Sequence, residues 1–299
     1  MHRISELFDT SSLKLIFDVY PFAFLLIGLA MMYVAKLVND FTTPYNLAEQ
    51  LTQKDNKAIA VSFAGYLLAT GILVWGILRQ DINPELASSG DELFKTDLLN
   101  STLWILFGIL LLQVARVAND VLLLNKFCNI KELVDDQNVG TGVVQAGSYI
   151  GTALIIQAAL YGDDSGYVGD DLLLTLAYFV IGQLAFIVFG IVYEKITPYD
   201  LHDEIEKDNA AAGLGFGLSL VAIGMLLSSF ILNNGSLIGL LVWFVISTIL
   251  LPLCRIVTDK LILPGSNLND EISKDRNWGA ALIEGIMAIS VALILGTLF

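Results

Sequence analysis

Long apolar runs alternate with short polar stretches from one end of the chain to the other. The runs cover 21–38, 58–78, 98–124, 139–160, 172–192, 210–232, 237–263 and 278–299. A helix rising 1.5 Å per residue needs about 20 residues to cross the ~30 Å hydrocarbon layer of a bilayer. The pattern therefore predicts an all-α membrane protein with about eight transmembrane helices. Little chain remains between the runs, so no separate soluble domain is expected.

The polar stretches after the odd-numbered runs resemble one another. Thr43-Pro44-Tyr45-Asn46-Leu47 returns as Thr197-Pro198-Tyr199-Asp200-Leu201, and looser versions run from Asn129 to Asn138 and from Asn267 to Asn277. In each, apolar residues three or four apart make one stripe: Leu47 and Leu51, Ile130 and Leu133, Leu201 and Ile205, Leu268 and Ile272. That spacing predicts a short helix lying at the membrane surface. Thr43 and Thr197 are expected to cap it, with Pro44 and Pro198 at its first position, where a missing N–H costs nothing. Asn56, Asn138, Asn209 and Asn277 then open the returning spans as N-caps.

Those returning spans are rich in small residues. Gly147 with Gly151, and Gly213 with Gly217, stand four apart, the spacing that lets helix backbones approach closely. The glycines at 213, 215 and 217 do not suit a nucleotide loop, because no strand precedes them and no Lys-Ser or Lys-Thr follows. Pro252 is expected to bend the seventh span.

The turns also imply a nested duplication. Seven residues beyond each capping asparagine stand Phe63, Gln145, Phe216 and Glu284, so the first unit matches the third, and the second and fourth both carry a polar group. The expected organisation is four parallel two-helix repeats in two pseudo-symmetric halves, 1–165 and 166–299. Because every unit crosses twice, the halves insert the same way up and relate by an axis along the membrane normal.

Composition sharpens this picture. Over 299 residues, 56% are hydrophobic and only 15% charged, with a mean hydropathy of +0.71, whereas a soluble domain is charged at about 25% of positions. The formal charge of −14 disfavours nucleic acid as a partner. Lys36, Lys54, Lys57, Arg116, Lys126, Lys131, Lys195, Lys207, Arg255, Lys260, Lys274 and Arg276 gather around the four turns, while Arg3, Lys14, Arg79 and Lys95 lie towards the other side. By the positive-inside rule the turns face the cytoplasm and both termini face outward. The first 20 residues lack the apolar core and cleavage site of a signal peptide and read as a short outer-face segment.

The two-span unit with a Thr-Pro-Tyr-Asn-Leu turn, Glu or Gln before an aliphatic residue, and Asn opening a glycine-rich span resembles the YjfL-like family of bacterial inner-membrane proteins, a domain of unknown function. The likeness is strongest over 33–76 and 186–227. It implies a helical fold in the bacterial inner (plasma) membrane, here as a tandem duplication, and brings no catalytic residues with it.

Candidate chemistry is sparse. Cys128 and Cys254 are isolated, and His2 and His202 are the only histidines, so no metal site or cofactor is expected. Asp163, Asp164, Asp170 and Asp171 lack calcium-loop spacing and read as solvated surface. No Ser-His-Asp, His-Glu-x-x-His or paired-carboxylate set appears, so the protein is read as no enzyme.

What stands out is an intramembrane polar cluster of Arg116, Asp120, Gln145, Arg255, Asp259 and Glu284. A lone charge at that depth costs ~2.5–3.5 kcal/mol or more, so Arg255 is expected to pair with Glu284 and Arg116 to meet Gln145, with Asp120 and Asp259 as alternative partners. The cluster either locks the halves of a structural or scaffolding membrane component or lines a path for an ion or small polar solute. Besides the lipid bilayer, a peripheral cytoplasmic protein could dock on the acidic turns, and a homo-oligomer is left open.

Overall fold

The computed structural model describes residues 19–81, 91–126, 128–161, 168–234 and 236–298. Residues 1–18, including His2, Arg3 and Lys14, and the loop acids Asp163 and Asp164 lie outside the described residues. Among the described residues, the eight long helices are α1 (Val19–Thr42), α3 (Lys57–Asp81), α4 (Asp91–Leu122), α6 (Val139–Ala159), α7 (Val168–Ile196), α9 (Ala210–Asn234), α10 (Leu237–Val257) and α12 (Trp278–Gly296). The short ones are α2 (Leu47–Thr52), α5 (Asn129–Val134), α8 (Leu201–Glu206) and α11 (Leu268–Ser273), and a π-helical turn, Thr258–Ile262, extends α10. All eight long helices are long and apolar enough to cross a membrane. The protein is an all-helical, polytopic membrane protein.

Helices are forced here because lipid offers the backbone no hydrogen-bond partner, so each span must satisfy its own N–H and C=O groups. Their arrangement follows from side-chain size. The returning helices α3, α6, α9 and α12 form an inner row, each packed on the next, while α1, α4, α7 and α10 flank it. Flanking helices turn large apolar residues outward, as α4 does with Leu99, Leu103, Leu106, Leu110, Val114, Val117 and Val121. That is a helical stripe suited to acyl chains.

Small residues let the inner row close up. A Cβ added to Gly147 would stand 2.2 Å from the Gly217 carbonyl oxygen, one on Gly213 2.4 Å from that of Gly140, and one on Gly224 2.5 Å from Gly151. Without hydrophobic driving force between helices in lipid, such close packing is a main source of cohesion.

The expected capping of the short helices changes. The short helices α2 and α8 are capped by Asn46 and Asp200, whose side chains accept the Glu49 and Asp203 N–H groups at 3.1 Å. Thr43 and Thr197 instead donate back to the carbonyls of Asn39 and Tyr193, one turn earlier in the preceding helix. The chain has not yet left that helix at the threonine, so its hydroxyl finds an i−4 carbonyl before any new N–H. Pro252 lies inside α10, which runs on to Val257 before the π-helical turn from Thr258.

Candidate functional site

The cluster in the second half is built where α7, α10 and α12 meet. Arg255 lies near the end of α10, and Glu284 lies two turns into α12. Arg255 Nη1 lies 3.3 Å from Glu284 Oε1 and 3.2 Å from the Tyr193 hydroxyl. Its Nη2 donates to Asn269 Oδ1 at 2.8 Å. The guanidinium also sits over the rings of Tyr193 and Tyr199, at 5.9 and 5.7 Å from their centroids. Tyr193 donates to the same Glu284 oxygen at 3.3 Å. Charge pairing, planar hydrogen bonding and ring contact all favour arginine over lysine here.

Glu284 is 3% exposed, and its Oε2 has no hydrogen-bond partner among the described residues. It lines a cavity of about 570 Å³ whose walls are largely apolar, with Ile196, Ile249, Pro252 and Ile256 among them, and whose polar groups include Ser219, Thr248, Arg255, Asp259 and Asn269. Asp259 turns its carboxylate to other partners: Oδ1 accepts the Leu268 N–H at 2.8 Å, and Oδ2 pairs with Lys260 at 2.8 Å.

The first half is arranged differently. Arg116 donates to Thr42 at 3.0 Å and to Gln113 at 3.3 Å, and lies 3.9 Å from Asp120. Gln145 does not take Arg116 as a hydrogen-bond partner: it donates to Asp120 at 3.2 Å and accepts from Ser62 at 2.7 Å. Asp120 therefore stands between the two, because Arg116 turns along α4 towards α1 rather than across to α6. The space these residues enclose is about 10 Å³, the scale of a single water.

The four asparagines do more than cap. Their side-chain oxygens accept from Ile59, Thr141, Ala211 with Ala212, and Ala280 respectively. Their amide groups donate to Gln50, Glu132, Glu204 and Glu271 in the preceding short helix. The amide groups of three reach further, into the following turn: Asn56 to the Leu133 carbonyl at 2.8 Å, Asn138 to Ile205 at 2.6 Å, and Asn209 to Ile272 at 2.9 Å. Sequence reasoning missed this second arm, although the recurrence of asparagine, where serine or aspartate would cap as well, was a signal for it. Asn138→Ala should cost about 2–4 kcal/mol, because it removes a cap and strips two buried acceptors of their donor. Asn277→Ala loses only the cap and its exposed partner, about 1 kcal/mol. Unfolding of the two variants in detergent would check the difference.

Another network unseen in the sequence joins α4, α6 and α7. Asn119 donates to Ser148 at 2.7 Å and accepts from Gln183 at 2.7 Å, and Thr152 donates to Gln183 at 3.3 Å. All four are buried.

Near the turns, Glu194, Asp200 and His202 bring three metal-ligating atoms within 4.8 Å of one another. The Lys126 ammonium stands among them, 2.5 Å from Glu194 and 3.6 Å from Asp200, and His202 Nδ1 is 3.0 Å from Glu194. With the lysine ammonium on both carboxylates, the group is arranged as an ion-pair cluster. The Asp203 N–H, with Lys126 adding to it, holds the Asp200 carboxyl below its ordinary range. A depressed carboxyl stabilises the fold above its unfolded pKa and loses that contribution as pH falls through the folded one. Below about pH 4 this turn should therefore loosen in the parent protein, while an Asp200→Asn variant should change less over the same window. Hydrogen exchange across residues 197–209 measures this.

Comparison with known proteins places these features in context. The model of a family described as Domain of Unknown Function (DUF350) matches the chain twice, at residues 14–160 and 167–299. A UPF0719 transmembrane protein of Aquifex aeolicus is 22% identical over 280 residues, covering 90% of this chain and 96% of the relative. UPF0719 inner membrane protein YjfL of Escherichia coli is 31% identical over 124 residues, 42% of this chain and 91% of the relative. UPF0719 transmembrane protein YshE of Bacillus subtilis is 22% identical over 130 residues, 44% of this chain and 96% of its own. No solved structure matches.

Proposed function

The chain belongs to the DUF350 family as two tandem copies of its domain, and from that premise we propose that it is a multi-pass inner-membrane structural component without enzymatic activity, whose second half binds a small amphiphile. The observation that carries this is the cavity of about 570 Å³ with largely apolar walls and a few polar groups. That volume and lining suit a ligand of drug or lipid-fragment size. With Arg255 already paired to Glu284, the cavity offers no unpaired cation among its described lining residues, and Ser219, Thr248 and Asn269 favour a zwitterionic head group over an anionic one.

The alternative of an ion or solute pathway is less well supported. The deepest lining residues, Thr248, Ser219 and Ala288, stand nine or ten residues from the turn-side ends of their helices. At 1.5 Å per residue this is about 15 Å, roughly half of the hydrocarbon layer. The cavity is thus one-sided, and its first-half counterpart is nearly closed.

Native mass spectrometry of delipidated protein, titrated with phosphatidylethanolamine or phosphatidylglycerol, tests the binding reading. The ethanolamine lipid should be retained preferentially, and Thr248→Trp, which fills the cavity, should abolish the preference. Equal retention of both lipids by the parent and the variant would refute binding at this site. Ion flux above that of empty liposomes would favour the pathway instead.

The lysines and arginines around the turns support a cytoplasmic location for that side. Exposed Cys128 lies there, so a membrane-impermeant maleimide should label it in inverted vesicles and not in right-side-out ones. The reverse pattern would invert the topology.

A further inference from the structure

Three joints hold the inner row together, and they repeat one geometry. Counted from its capping asparagine, the ninth residue of one returning helix lies against the eighth of the next. A Cβ on Gly65 would stand 2.4 Å from Ala146, one on Gly147 2.2 Å from Gly217, and one on Gly285 2.3 Å from Leu218. The asparagine bonds to Leu133, Ile205 and Ile272 step along the row in the same direction. Each helix therefore presents one face forward and a different face backward. Contacts of this heterologous kind do not terminate themselves: they continue until they close a ring or run on.

Both ends of the row are left in the state of an unmade joint. At the far end Asn277 is exposed, whereas Asn56, Asn138 and Asn209 are fully buried, and no following carbonyl meets its amide among the described residues. At the near end the backward face of α3 carries the same small residues that the other three helices bury in joints. At the fourth position stand Ala60, Gly142, Gly213 and Ala281; at the eighth, Ala64, Ala146, Gly217 and Gly285; at the fifteenth, Gly71, Ala153, Gly224 and Ala292. The last three of each set are buried, while Ala60 and Ala64 are exposed and Gly71 has nothing within 4 Å of its missing Cβ. The outward faces of α4, α7 and α10 are lined by leucine, valine and isoleucine, whereas on this face of α3 the small residues share the surface with Leu68 and Trp75, so lipid contact alone does not account for the alanines and glycine.

We infer that a second copy of this chain docks here, α12 of one molecule against α3 of the next, continuing the row head to tail. Asn277 would donate to the carbonyl of Leu51, the residue that corresponds to Leu133, Ile205 and Ile272. Ile286 would lie against Ala64. A large residue on a small one at this level has a precedent within the chain, since Leu218 lies against Gly285.

Disulfide trapping in native membranes tests the joint, in a Cys128→Ser, Cys254→Ser background. Ala64→Cys with Ile286→Cys in one chain should give covalent dimers and higher multimers on oxidation. Either cysteine alone should leave monomers, because a head-to-tail contact does not place like residues together. Both positions are exposed, so the variants should fold, which monodisperse elution confirms. Ala64→Trp should shift the uncrosslinked protein to monomer mass. Monomers only from the folded double variant, or equal crosslinking by a single cysteine, would overturn the inference.

Discussion

Replacing Arg255 by alanine should cost about 3–5 kcal/mol, the penalty for leaving a buried charge without its partner. The variant strips Glu284 of its cation and also breaks the bonds to Asn269 and the Tyr193 hydroxyl. Glu284 cannot turn to water, being 3% exposed on a helix fixed against α9. The double variant Arg255→Ala, Glu284→Leu should recover most of the loss, since an apolar side chain in place of a buried ion pair is often neutral or stabilising. Chemical unfolding of both variants gives the coupling energy. Equal stability of the single variant and the parent would mean that Glu284 is held neutral without Arg255.

The second large effect is expected at Gly147. Its missing Cβ would fall 2.2 Å from the carbonyl oxygen of Gly217 and 2.6 and 2.7 Å from two further backbone atoms. Backbone cannot swing aside, so Gly147→Ala must push α6 from α9 along the most closely packed part of the row. Overpacking of this kind costs about 1–3 kcal/mol and more where the neighbours are rigid, and we expect the upper end. Gly169→Ala on α7, outside the row, is the control: with nothing within 4 Å it should be neutral or stabilise by up to ~1 kcal/mol through helix propensity. Thermal unfolding in detergent compares the two.

Much of this architecture was legible in the sequence because lipid imposes it. Run length sets the spans, and most observed ends fall within about four residues of the apolar boundaries. The spacing of Gly147 with Gly151, and of Gly213 with Gly217, marked helix faces that do pack closely, and both pairs meet across the α6–α9 joint. What periodicity cannot convey is how each helix is rotated about its axis. Arg116 and Arg255 occupy similar places in their halves, yet one turns to Thr42 and Gln113 and the other to Glu284. Which partner each arginine meets is set by the helices packed beside it. The choice of Asn46 and Asp200 over Thr43 and Thr197 as caps was hidden likewise, since it depends on where the chain leaves the previous helix.

A row in which each helix leans only on its neighbours behaves as a nearly one-dimensional array, whose stability is a sum of local terms and whose cooperativity is passed from link to link. Burial along the row already grades that way: 78% and 67% of the span windows of α6 and α9 are buried, against 50% and 33% for α3 and α12. Fraying then starts at the termini of the array and moves towards its centre. Growth or shortening of such a molecule proceeds in whole hairpin quanta, and a relative that aligns over 124 residues along 91% of its length amounts to about two of them.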